Sequence, residues 1–112
     1  MNIADWLSGI LSTRGKSMAA YKRGMKKAKK GDSSGAIDDY TLAINAAETS
    51  PDVRAMALYN RALMHSGSGN DTEAASDLHI ILDMKQDLPR IKTEARRRLV
   101  RIGKRRSVDT PD

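Results

Sequence analysis

Residues 20–44, AYKRGMKKAKKGDSSGAIDDYTLAI, and residues 58–82, LYNRALMHSGSGNDTEAASDLHIIL, are one pattern written twice, 38 positions apart. Tyr21 falls on Tyr59, Gly31 on Gly69, Ala36 on Ala74 and Asp39 on Asp77, and just outside the quoted stretches Pro51 falls on Pro89. The apolar positions keep the same offset: Ala20 with Leu58, Met25 with Leu63, Tyr40 with Leu78, Ala43 with Ile81, Ile44 with Leu82. Self-similarity at such a period marks a supersecondary unit that buries its apolar face against its neighbour.

Each unit reads as two helices. In the first, Met18, Tyr21, Met25 and Ala28 recur at helical spacing, and Gly31-Asp32-Ser33-Ser34-Gly35 breaks the helix and offers cap oxygens to the next. Ala36, Ile37, Tyr40, Ala43, Ile44 and Ala47 then mark the apolar face of a second helix, which stops before Ser50-Pro51-Asp52. The second unit repeats the plan through Met56, Tyr59, Leu63 and Met64, the break Ser66-Gly67-Ser68-Gly69, and Ala74, Leu78, Ile81 and Leu82. There Asn70 and Glu73 have the spacing of a capping box. A fifth helix carries the stripe Ile91, Ala95, Leu99 and Ile102, with arginines on its other face, as the terminal cap of a helical stack requires. Helices are therefore expected near 17–30, 34–48, 52–66, 71–85 and 90–103. The fold class is all-α: two helical hairpins, a C-terminal capping helix and an N-terminal amphipathic helix. Gly24, Ala62, Ala36 and Ala74 are placed where neighbouring helices approach closely.

These residues resemble the tetratricopeptide repeat. The first helix has a small residue (Gly24, Ala62), the turn a glycine (Gly31, Gly69), the second helix an early alanine (Ala36, Ala74) followed by a large apolar residue (Tyr40, Leu78), and a proline closes the unit. The stretch Leu58-Tyr59-Asn60-Arg61-Ala62 is close to the family's usual first helix. The resemblance covers residues 17–103, with units of 38 residues in place of the usual roughly 34. It implies a non-catalytic module that binds a protein or peptide on a concave face lined by the first helices. Carried over position by position, that face takes Met18, Tyr21, Lys22, Met25 and Lys29 from the first unit, Met56, Tyr59, Asn60 and Leu63 from the second, and Arg97, Arg98 and Arg101, beside Glu94, from the capping helix. Such a groove is apolar at its floor and basic at its ends. The clamp by which some members hold acidic chaperone tails is incomplete: Asn60 and Arg98 match it, while Tyr21, Met25 and Glu94 stand at its other places. The spacing leaves a second reading open, in which the Met and Tyr residues are simply core.

Composition narrows the function classes. The 112 residues contain no Cys and no Phe, one Trp and three Tyr, so cysteine chemistry is excluded and the core falls to Ala, Leu, Ile and Met. A chain without cysteine fits a reducing cytosol, and a cytoplasmic location is expected. No apolar stretch approaches the roughly 20 residues of a transmembrane helix. The first eleven residues lack a basic leader and carry Asp5 within the apolar stretch, so no signal peptide is expected. His65 and His79, Asp38-Asp39 and Asp71-x-Glu73 have neither metal-ligand nor nucleophile-base spacing. The acidic pairs are explained by proximity to helix N-termini. No catalytic residue, metal or cofactor is expected.

The net charge of +6 is segregated. Arg14 to Lys30 holds eight basic residues and no acidic one, Gly31 to Pro89 is acidic, and Arg90 to Arg106 holds nine basic residues against Glu94 alone. The partner on the groove is thus expected to be a protein or peptide with acidic character. The runs Lys26-Lys27-Ala28-Lys29-Lys30 and Arg96-Arg97-Arg98 set up an alternative, a nucleic-acid-associated protein that binds phosphates. Residues 1–13 form a separate amphipathic segment, with Ile3, Trp6, Leu7, Ile10 and Leu11 on one face. Ser12 to Lys16 read as a flexible link and residues 104–112 as a disordered tail. Three roles are open for residues 3–11: capping the first hairpin, filling the groove, or weak contact with an anionic membrane surface. Docking on the protein is the expectation among them.

Overall fold

The computed structural model describes the backbone of residues 3–109 and the side chains of residues 15–107. The fold is all-α, with five helices in chain order: α1 (Ile3–Lys29), α2 (Ser33–Asn45), α3 (Pro51–Gly67), α4 (Asp71–Asp83) and α5 (Pro89–Asp109). No helix among the described residues is long and apolar enough to cross a membrane.

The punctuation follows from local chemistry. Gly31 and Gly69 sit at φ 82° and 81°, the left-handed conformation that a helix C-terminus favours and side chains resist. Behind them the Asp32 and Asn70 amides reach back to the carbonyls of Lys27 and His65, closing both helix ends in the same way. Asp32 then caps α2, its Oδ1 accepting from the Gly35 amide at 2.9 Å. Ser50 caps α3 through Val53, with Pro51 in the first turn. Asn70, by contrast, makes no side-chain cap hydrogen bond, so the capping box expected of Asn70 and Glu73 does not form. The open carbonyl ends of α2 and α4 are satisfied from the following helix. Arg54 donates to the carbonyls of Ile44 at 3.0 Å and Ala46 at 3.2 Å, and Lys92 donates to that of Met84 at 2.6 Å.

Two boundaries differ from the sequence reading. The helix expected to begin near residue 17 starts at Ile3 and runs unbroken through Ser12–Lys16, where a flexible link was expected. With 27 residues α1 is about 40 Å long, twice the about 20 Å of the 13-residue α2. At the other end α5 continues to Asp109, so residues 104–109 of the expected disordered tail are helical. The side chains of Trp6 and its apolar neighbours lie outside the described residues, as do residues 110–112.

Short connections return the chain so that α1 with α2, and α3 with α4, pack as antiparallel neighbours. Each helix packs on the next, α3 also touches α1 and α5, and α2 and α4 do not pack on each other. Two apolar clusters result. One gathers Ala20, Tyr21, Ala36, Tyr40, Ala43 and Ala57 between α1, α2 and α3; the other gathers Leu58, Ala62, Ala74, Leu78, Ile81, Ala95 and Ile102 between α3, α4 and α5. Ile44 packs against both and joins them. Each large side chain wholly enclosed there contributes about 1.5–3 kcal/mol.

The small residues sit at the close approaches. Ala36 and Ala74 are fully buried, and a Cβ on Gly24 would stand 2.7 Å from Cε1 of Tyr40. Extra methylenes have nowhere to go. Ala36→Leu and Ala74→Leu are each expected to cost about 1–3 kcal/mol, read as a lower urea midpoint.

Candidate functional site

Two hydrogen bonds between side chains cross the layer made by α1, α3 and α5. Asn60 Nδ2 on α3 donates to the Tyr21 hydroxyl on α1 at 2.9 Å, and Arg98 Nε on α5 donates to the Tyr59 hydroxyl on α3 at 3.4 Å. Four of the residues expected on a binding face are thereby brought together, as cross-links between helices. Tyr21 is only 7% exposed and belongs to the core, its ring 5.9 Å from that of Tyr40. Burial pushes the Tyr21 hydroxyl pKa up, and the Asn60 hydrogen bond offsets part of that rise. For Tyr21 the core reading holds.

The other expected residues divide by chemistry. Met18 and Met25 on α1 are each 37% exposed and Met56 on α3 is 44% exposed, which is unusual for side chains that bury so readily. Leu63 is half-buried beside them. Lys22 and Lys29 are exposed and form no ion pair among the described residues. On α5, Arg97 pairs with Glu94 one turn away, while Arg101 is exposed. A depression of about 580 Å³ opens between the starts of α3 and α5, floored by Met56, Leu88, Pro89 and Ile91. A second of about 560 Å³ shares Pro89 and Arg90 with it and extends to Arg97.

On the opposite side of α1 and α3 lie two buried carboxylates. The Arg61 guanidinium grips Asp77 with two hydrogen bonds, at 2.7 and 2.8 Å, and donates a third to Thr41 Oγ1 at 2.9 Å, tying α2, α3 and α4 at one point. Asp39 receives Arg23 Nε at 3.4 Å and the Lys27 ammonium at 2.9 Å. In both sites the arginine precedes its aspartate by 16 residues. That repeated spacing is the signal that could have found the pairs, which the sequence reading missed, offering helix N-terminal charge as the explanation of Asp39. The structure replaces it with an ion pair between helices. A third buried link, Thr49, donates its hydroxyl to the Ala43 carbonyl at 2.6 Å and lies 2.8 Å from Ser17 Oγ. No periodic pattern announces it.

The Lys27 ammonium is the main cause holding the Asp39 carboxyl below its usual pKa, with burial opposing and Arg23 adding to the effect. A carboxyl whose folded pKa is depressed contributes stability that is present above the unfolded value, about 3.9, and is lost as pH falls through the folded one. Lys27→Met should therefore lower stability at neutral pH, where charged Asp39 loses its main partner, and flatten the acid limb below about pH 4, where variant and parent converge. Urea midpoints across that range check this; an acid limb identical to that of the parent would contradict it.

His79 is exposed, and His65 is half-buried with Nδ1 enclosed and without a hydrogen-bond partner. Among the described residues no three His, Cys, Asp or Glu side chains are grouped so as to hold a metal ion. Comparison with protein-family models, with curated proteins and with solved structures finds no match for the chain.

Proposed function

We propose that the chain is a tetratricopeptide-like adaptor without catalytic activity, and that the face presented by α1, α3 and α5 binds a segment of a partner protein in the cytoplasm. On this reading the hairpins α1–α2 and α3–α4 are one unit repeated every 38 residues, and α5 begins a third unit and serves as its cap. What supports the repeat is the recurrence of whole contacts at that offset. Arg23 with Asp39 corresponds to Arg61 with Asp77, and Asn60 with Tyr21 corresponds to Arg98 with Tyr59. Likewise Arg54 on the Ala46 carbonyl corresponds to Lys92 on that of Met84. A repeated contact is a more demanding coincidence than a repeated residue, because two positions must recur together, here with the donor changing from Asn60 to Arg98 and from Arg54 to Lys92.

The single observation that carries the binding role is the exposure of Met18, Met25 and Met56 on the helices cross-linked through Tyr21 and Asn60. Thioether side chains left in water adapt to varied apolar surfaces, and clustered exposure of this kind marks interaction sites. Lys22 and Lys29, exposed on α1 with Met18 and Met25, favour an acidic partner.

The test is capture from native lysate with quantitative mass spectrometry. Met18→Glu/Met25→Glu/Met56→Glu should lower specifically captured proteins about tenfold or more. Leu42→Glu/Ile80→Glu alters apolar residues exposed on α2 and α4 and should leave capture unchanged. Equal capture by both folded variants would remove the assignment of the face.

A further inference from the structure

From the free side of α5 we infer a second binding surface, for the phosphate backbone of double-stranded nucleic acid. It adjoins the methionine face, whose depression Arg90 also lines, but draws on none of its methionines. Among the described residues α5 packs only on α4 and α3, and Val100 on it is 57% exposed. Around Val100 the chain places Arg90, Arg97, Arg101 and Lys104, all exposed. Their spacing of seven, four and three residues puts them on one stripe of a helix. From first to last the stripe runs about 21 Å at 1.5 Å per residue.

Apart from Arg96, which meets Thr93 on its own helix, and Arg106, the basic residues of α5 fall into two groups. One group is engaged within the fold: Lys92 on the Met84 carbonyl, Arg98 on Tyr59, and Arg105 on Asp71 and Ser66. These explain themselves as structure. Arg90, Arg101 and Lys104 have no ion-pair or hydrogen-bond partner among the described residues, and Arg97 meets only the exposed Glu94 of its own helix. With Glu94 neutralising Arg97 alone, the three unpaired cations leave the stripe net positive, which raises the local potential and repels a second copy of the same face. It suits a ligand that offers negative charge at regular intervals.

Two features choose the duplex. No aromatic residue occurs on α5, so the stripe has nothing on which unstacked bases could stack, as single-strand binding requires. Among the described side chains of α5 Val100 is the large apolar one left exposed, at 57%, too little to anchor the helix in a bilayer. Binding through phosphates alone is independent of sequence and strongly dependent on salt. Among the described residues α1 and α5 do not touch, so the lysines near the end of α1 do not continue this stripe.

The test is fluorescence anisotropy of the full chain with a labelled duplex of arbitrary sequence. Four phosphate contacts predict a slope of about −3.6 in log affinity against log salt, hence about 100-fold weaker binding at 200 mM than at 50 mM salt. Arg90→Gln/Arg101→Gln/Lys104→Gln, whose helicity should match the parent because these side chains hold nothing in the fold, should reduce the slope to about −0.9. Lys26→Gln/Lys29→Gln/Lys30→Gln should retain most of the parental slope. The inference is overturned if no binding occurs at 50 mM salt, or if the α5 variant binds as the parent does. It is equally overturned if the α1 variant loses as much as the α5 variant, or if phosphatidylserine vesicles or a single strand of equal length bind more tightly than the duplex.

Discussion

Arg61→Met is expected to lower folding stability by about 3–5 kcal/mol, one of the two largest single effects in this chain. Asp77 is 3% exposed, and without the guanidinium its charge is left in the interior with no partner. The same substitution releases Thr41, so α2, α3 and α4 lose a shared fastening. A domain of this size holds about 5–15 kcal/mol in all, so a loss on this scale brings it close to unfolding at physiological temperature. Arg61→Met/Asp77→Leu removes both charges and should recover most of the loss, since an apolar pair replaces a desolvated ionic one at little net cost. Urea denaturation of the parent and the two variants checks both statements. A single substitution costing less than about 1 kcal/mol would mean that water reaches Asp77 in the folded state.

Tyr40→Ala should cost about 3–5 kcal/mol, as removal of a buried ring does elsewhere. The ring is 2% exposed, lies tilted against Tyr21 and occupies the space that a side chain at position 24 would need. The two sites are therefore coupled. Gly24→Ala alone is expected to destabilise, because its Cβ would meet the ring. In the Tyr40→Ala background it should stabilise by up to about 1 kcal/mol, the helix preference of Ala over Gly. Additive effects in the four-member cycle would contradict the contact.

Much of the fold was legible because it rests on residues whose physics is local. Gly31, Gly69, Asp32, Ser50 and Pro51 set turns and caps that need no knowledge of the rest of the chain, and helical spacing placed Ala36, Tyr40, Ala74 and Leu78 inside. What was illegible depends on partners distant in sequence. Ser12 to Lys16, with Gly15, resemble a linker; yet the helix passes straight through them, and the adjoining Ser17 is buried against Thr49. Tyr21 and Tyr59 fell on the expected face, but a stripe at helical period cannot say whether a hydroxyl meets solvent or an Asn and an Arg from neighbouring helices. The methionines were the reverse case. They were placed on the same face with a core reading left open, and the packing of α1, α2 and α3 leaves Met18, Met25 and Met56 in water.

Photocrosslinking in native lysate tests the adaptor reading most directly. A benzophenone side chain placed at Met56 sits on the proposed face, and one placed at Leu42, 58% exposed on α2, lies outside it. The account predicts a discrete adduct from position 56, suppressed by Met18→Glu/Met25→Glu, and none from position 42. Adducts from position 42 alone, or the same adducts from both positions, would contradict it.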